Sequence, residues 1–151
     1  MIGKLQIDFP PYYAARKYGR PSMWFGKKGS LTPLHKDGPD NFAVLFIGTK
    51  RFLLFGPSEW AKIYYMHPSG PNSSLNWSKL GAIKVEDLEE AHRLRAAGQH
   101  SELFAKFPLL ADAEYTVADV KAGQVLYLPA GWAHAIDNKE DVLRNMRSCV
   151  S

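Results

Sequence analysis

From Ser22 to Pro57 a glycine or proline interrupts the chain at short intervals. Gly26, Gly29, Pro33, Gly38, Pro39, Gly48, Gly56 and Pro57 leave no gap longer than eight residues. A helix of average length, about a dozen residues, does not fit between such breaks, whereas strands of about five or six residues do. SMWFGKK (22–28), TPLHKD (32–37), NFAVLFIG (41–48) and KRFLLFGP (50–57) therefore read as four strands. The third is aromatic and β-branched enough to be buried. Gly48-Thr49 is expected to close a tight hairpin between the last two.

The pattern changes after Pro57. Ser58 is expected to cap a short helix over EWAKIYY, and 67–81 is a long loop by composition. EDLEEAHRLRAAG (86–98) is the strongest helix, with acids in its first turn, bases towards its end and Gly98 at the stop. Val85, Leu88, Ala91 and Leu94 give it an apolar face, and SELFAKFP (101–108) adds a further helical turn. Strand signals return over 114–120, 123–129, 132–137 and 142–150. The expected fold is mainly β. An irregular lead-in covers 1–21, and one unit covers 22–151, with a helical insert at about 58–110 between strands four and five. Many short strands with regular turns point to a sandwich or barrel.

The 151 residues are enough for one domain with its own core. Cys149 is the only cysteine, so no intrachain disulfide forms. The start, MIGKLQIDFPPYY, lacks the apolar stretch of a secretory signal, and no run approaches a membrane span of about 20 apolar residues. A cytoplasmic or nuclear location is expected, not a secreted or membrane one. A net charge of +4 is too mild for the dense basic stripe of a nucleic-acid binder, so that partner is not expected.

Two stretches carry chemistry. In LTPLHKDGPDNF (31–42), His35 and Asp37 stand two apart and share one face of a strand. In GQVLYLPAGWAHAIDN (123–138), a strand, a Pro-x-Gly corner and His134 on the returning strand aim a second imidazole inwards. Taken singly, each has a plainer reading: His35 a surface residue beside a loop acid, His134 a satisfied core histidine, Lys50 a hairpin-tip lysine, Thr32 a turn former. His67, His92 and His100 read as solvated. Trp24, Trp132, Phe42, Phe46 and Phe52 read as core. Trp60, Tyr64, Tyr65 and Trp77 flank the insert, near its mouth or in its packing.

The two spacings resemble the paired motifs of the cupin superfamily. Asp37 and Asn41, standing where many cupins carry His and Glu, are similar to the Jumonji C (JmjC) branch of iron and 2-oxoglutarate oxygenases. The resemblance covers roughly 22–150 and implies a double-stranded β-helix, the jelly-roll barrel. It implies His35, Asp37 and His134 as an Fe(II) facial triad with three coordination positions left open. By the same resemblance, Lys50 and Thr32 would hold the far carboxylate of 2-oxoglutarate. Asn41 and Asn145 would hold the carboxylate next to the metal. Lys50 inside an apolar barrel is costly without an anion, which agrees with a bound acid. At Thr32 the strand must twist or bulge beside Pro33, because Thr32 and His35 break strict alternation. The implied activity is hydroxylation of a protein or peptide side chain, with a small-molecule substrate second. N-methyl demethylation by the same chemistry, a non-catalytic module binding metal or a small acid, and a cupin enzyme of other chemistry are the competing readings. No oligomeric state follows.

Overall fold

A computed structural model describes residues 17–18, 22–65 and 77–150, with side chains for 22–65 and 77–144. Among the described residues, nine strands form two antiparallel sheets: β1 (Lys17–Tyr18), β2 (Ser22–Gly26), β3 (Leu31–Lys36), β4 (Asp40–Ile47), β5 (Thr49–Phe55), β6 (Thr116–Lys121), β7 (Val125–Leu128), β8 (Ala133–Asn138) and β9 (Val142–Val150). The pairs β2 with β9, β3 with β8, β4 with β7 and β5 with β6 are nested, as in one long hairpin rolled over on itself. Further pairing of β4 with β9 and of β5 with β8 closes the roll into two sheets, β1-β9-β4-β7 with β2 also on β9, and β3-β8-β5-β6. This is the jelly roll expected from the sequence. The helices, α1 (Val85–Ala96) and α2 (Glu102–Lys106), lie between β5 and β6. The insert thus follows the fourth long strand as expected, and the two-residue β1 moves the count by one. Among the described residues no helix is long and apolar enough to cross a membrane.

The hairpin expected at Gly48-Thr49 does not form. β4 and β5 belong to different sheets, so Gly48 turns a corner between them. Its φ is +82°, and a Cβ there would collide with the Asp141 carbonyl oxygen. The helix expected over EWAKIYY is also absent. A short 3-10 turn, Pro57–Glu59, runs into irregular turns that end where Tyr64 takes a φ of +53°.

Strand β5 shows why its sequence is apolar without a break. Phe52 and Leu54 point between the sheets and pack with Ala43, Leu45, Val120, Leu128, Ile136 and Val142. Leu53 and Phe55 point the other way, under the insert, against Leu88, Ala91 and Phe104. A strand buried on both faces needs no polar alternation. Trp24, expected in the core, is instead half exposed.

Candidate metal centre

Cross-strand rows on the inner face of the smaller sheet set the site. His35 pairs with His134, and His134 with Leu54. Two residues deeper, Thr32 pairs with Ile136, and Ile136 with Phe52. Deeper again, Asn138 pairs with Lys50, and Lys50 with Val120. The register of β3 shifts between Thr32 and His35, so both keep the inward face despite their odd spacing. The bulge inferred beside Pro33 is therefore present.

The edge of β3 is held by the part of the insert that precedes α1. Leu34 donates its N–H to the Gly81 carbonyl (2.8 Å) and accepts from the Ser78 N–H (2.9 Å). Trp77 bridges His35 through the backbone and sets its ring 5.0 Å from the imidazole. Opposite, the Pro129–Gly131 corner is pinned by the Asp40 carboxylate, which accepts from the Ala130 N–H (2.7 Å). The Trp60 indole N–H donates to the Gly131 carbonyl (2.9 Å).

Both imidazoles turn the same nitrogen inwards. His35 Nδ1 lies 2.8 Å from the Pro33 carbonyl and His134 Nδ1 3.3 Å from that of Trp132. A carbonyl accepts only, so each Nδ1 carries the proton and each Nε2 keeps its lone pair. The Asp37 carboxylate lies 3.9 Å from His35 Nε2 and 3.8 Å from His134 Nε2. Two donors bound at about 2.1 Å each are at most about 4.2 Å apart, so one ion can span either edge. One ligand atom from each of the three residues lies within 4.8 Å of the others. His134 is 1% exposed, and its Nε2 has no partner. Burial, together with the nearby His35, lowers its pKa to about 3, so the ring is a neutral ligand at neutral pH. Asn41, 2% exposed, donates from Nδ2 to Asp37 Oδ2 (2.6 Å), while its own Oδ1 has no partner. The donor set and the orphaned nitrogen fit a divalent cation.

Lys50 is 5% exposed and inside the barrel, not at a hairpin tip. Burial first, and then the Arg144 charge, lower its pKa to about 8. Arg144, which sequence reasoning missed, is 6% exposed and lines the same narrow interior space as Lys50. Asn145, the neighbouring candidate, pairs at its Cα with Met23 and Val44, and its side chain lies outside the described residues. Of the other histidines, His67 lies outside the described residues and His100 is exposed. His92, expected in solvent, packs edge-on against Phe104 at 4.9 Å.

A family model described as a cupin-like domain matches residues 3–147. The chain belongs to the cupin-like (JmjC) domain family. It is 31% identical over 115 residues to JmjC domain-containing protein D of Dictyostelium discoideum, covering 76% of this chain and 21% of that protein. It is 28% identical over 134 residues to lysine-specific demethylase JMJ32 of Arabidopsis thaliana, covering 76% and 36%. To the bifunctional peptidase and (3S)-lysyl hydroxylase JMJD7 of Homo sapiens it is 29% identical over 121 residues, covering 79% and 38%. The chain thus spans between about a fifth and two-fifths of these relatives. Among solved structures, a Bacillus subtilis oxalate decarboxylase overlays with a TM-score of 0.48 at 12% identity, covering 90% of this chain and 22% of that one. Membership of the JmjC-type cupin-like family agrees with the two-motif reading of the sequence.

Proposed function

We propose that this chain is the barrel of an Fe(II) and 2-oxoglutarate-dependent oxygenase that hydroxylates a protein or peptide side chain. One observation carries the reading. Two imidazole Nε2 atoms and a carboxylate converge at the same end of a barrel whose deeper interior holds a buried lysine. Two cross-strand rows separate them, roughly 13 Å along the strand. The four-carbon stem of Lys50 and a five-carbon diacid bridge such a gap.

His35, Asp37 and His134 would hold Fe(II), and Lys50 with Thr32 the far carboxylate of 2-oxoglutarate. Asn41 fixes Asp37 by the 2.6 Å hydrogen bond, which keeps the carboxylate turned towards the two rings. The Pro33 and Trp132 carbonyls fix both ring tautomers. The apolar lining from Phe52, Leu54 and Ile136 keeps water from the interior. Bound iron and 2-oxoglutarate supply the oxidation of a substrate C–H to C–OH by O2, coupled to conversion of the keto acid to succinate and CO2. A protein substrate is supported by the relatives named as a lysyl hydroxylase and a lysine demethylase. With the C–H on an N-methyl group, the same chemistry ends in demethylation.

The test is succinate release from 2-oxoglutarate with Fe(II) and ascorbate, beside Mn(II) affinity, for wild type and His35→Ala. Turnover in wild type and its loss in the variant, together with weaker Mn(II) binding, is the expected result. Tight Mn(II) binding without succinate over a panel of peptide substrates replaces the enzyme with a binding module.

A further inference from the structure

The outer face of the larger sheet carries an apolar patch at the end of the barrel away from the candidate metal centre. Phe25 on β2, Leu143 on β9 and Ile47 on β4 pair in one cross-strand row, so their side chains share a face. Arg144, the next residue of β9, lies across from Leu45, which packs between the sheets. Side chains alternate along a strand, so the Leu143 row points out. Phe25 is 80% exposed and Ile47 56%. The row two residues along continues the patch with Met23 and Val125, each about half exposed. Beside Phe25 the three strands leave an apolar hollow of about 370 Å³. An apolar hollow of about 150 Å³ already holds benzene, so a phenyl ring fits here. Lys27 and Asp141, both exposed, flank the hollow. Contiguous exposed apolar surface with a polar rim marks a contact site. Asn41, which bonds Asp37, pairs with Ser148, five residues beyond Leu143 on β9 and so about 17 Å away. An occupant of the hollow therefore leaves the other end of the barrel open.

We infer that this patch joins two copies of the chain about a twofold axis, with the Phe25 ring of each copy entering the hollow of the other. The occupant follows from self-complementarity. One patch offers both a projecting ring and a hollow, and its rim offers both a cation and an anion. A twofold contact lays a patch against itself in reverse, so ring meets hollow and Lys27 of each copy meets Asp141 of the other. An apolar peptide or a lipid surface would use the apolar row and leave the rim charges unmatched. The net charge of +4 opposes self-association only weakly, because at physiological salt charges more than about 8 Å apart are screened. A contact built on two short rows falls below the standard interface size, and a Kd of about 1–100 μM is expected. The inference does not rest on the oxygenase reading.

Sedimentation velocity of the full chain, from about 1 to 500 μM, measures the association. Wild type is expected to pass from monomer to dimer across that range, and a monomer throughout overturns the inference. In Phe25→Asp the change falls on an exposed ring, so the melting temperature should hold while dimerisation weakens at least about thirtyfold. Ile47→Asp enters the same row from β4 and should do the same. Association of wild-type strength in either variant places the contact elsewhere and overturns the inference. Charge reversal tests the twofold arrangement. Lys27→Glu and Asp141→Lys should each dimerise about tenfold more weakly than wild type, since the twofold repeats each like-charged pair. Mixed in equal amounts they should regain wild-type strength, because every reversed charge then meets its opposite. Asp141 also accepts the Lys28 N–H (2.8 Å), so a second measurement avoids changing it. Added sodium chloride should weaken the wild-type dimer and strengthen that of Lys27→Glu. A mixture no stronger than its separate variants, or the same salt response in wild type and Lys27→Glu, overturns the inference.

Discussion

Lys50→Met should stabilise the free protein at neutral pH. The lysine ammonium is 5% exposed, and burial lowers its pKa from the ordinary 10.5 to about 8. At about 1.36 kcal/mol per unit, holding that charge inside the fold costs about 3 kcal/mol. Between pH 8 and 10.5 the unfolded chain keeps a proton that the folded chain releases. The unfolded state then binds more protons, and stability rises with pH across that window. Below pH 8 the full cost is present. Methionine is unbranched and of similar length, so the replacement removes the charge with little change in packing. Urea unfolding of both proteins at pH 7 and pH 10, with m-values compared, measures the gap. The expected gap is up to about 3 kcal/mol in favour of the variant at pH 7, shrinking at pH 10. Taking the difference between the proteins cancels the other titrating groups. Ligand should erase the advantage: at a hundredfold excess over Kd, 2-oxoglutarate adds about 2.7 kcal/mol to wild type. A variant less stable than wild type at pH 7, or a gap unchanged by pH, refutes the argument from an unpaired buried ammonium.

Three further outcomes test the fold and the site separately. Phe52→Ala removes a ring that is 1% exposed between the sheets and should cost about 3–5 kcal/mol in the same unfolding assay. Gly48→Ala should cost more than about 1 kcal/mol, because a Cβ at φ +82° meets the Asp141 carbonyl at the corner between sheets. Asn41→Ala frees Asp37 from its 2.6 Å hydrogen bond and should weaken Mn(II) binding by about ten- to a hundredfold, measured by calorimetry.

What could be read from the sequence was local. Glycines and prolines mark strand ends because each acts on its own φ and its own N–H, so the strands were legible before any pairing was known. The acids and bases of α1 act within single turns, and that helix was legible too. Pairing partners are set by contacts far apart in sequence. Gly48-Thr49 looks like a hairpin at short range, yet Thr49 pairs with Lys121 and β4 pairs with β7 and β9. EWAKIYY has helical composition, but Trp60 is claimed by the Gly131 carbonyl and by the Tyr65 ring at 5.3 Å, which turns its backbone aside. At the site, His35, Asp37 and His134 were visible because two motifs of fixed spacing hold them. Arg144 was not, because in VLRNMRSCV an arginine beside an asparagine reads as a solvent face. Only the register that sets it across from Leu45 and Trp24 brings it indoors.

The bulge in β3 ties the insert to the candidate metal centre. Without it Thr32 and His35 would face opposite sides, and either the imidazole or the hydroxyl would leave the barrel. A bulge at a sheet edge leaves backbone groups unpaired, and buried ones must find partners. The partners come from the insert, since Leu34 meets Gly81 and Ser78 on one side while His35 pairs with His134 on the other. The His35 ring then lies between two others, His134 at 4.3 Å and Trp77 at 5.0 Å. Its aim is therefore set jointly by β8 and by residues some forty positions later in the chain. The insert packs Leu88, Ala91 and Phe104 on the outer face of the same sheet. Substitutions in that packing are accordingly expected to loosen the aim of His35 before they unfold the barrel, because the edge contacts at Ser78 and Gly81 are the ones the insert alone maintains.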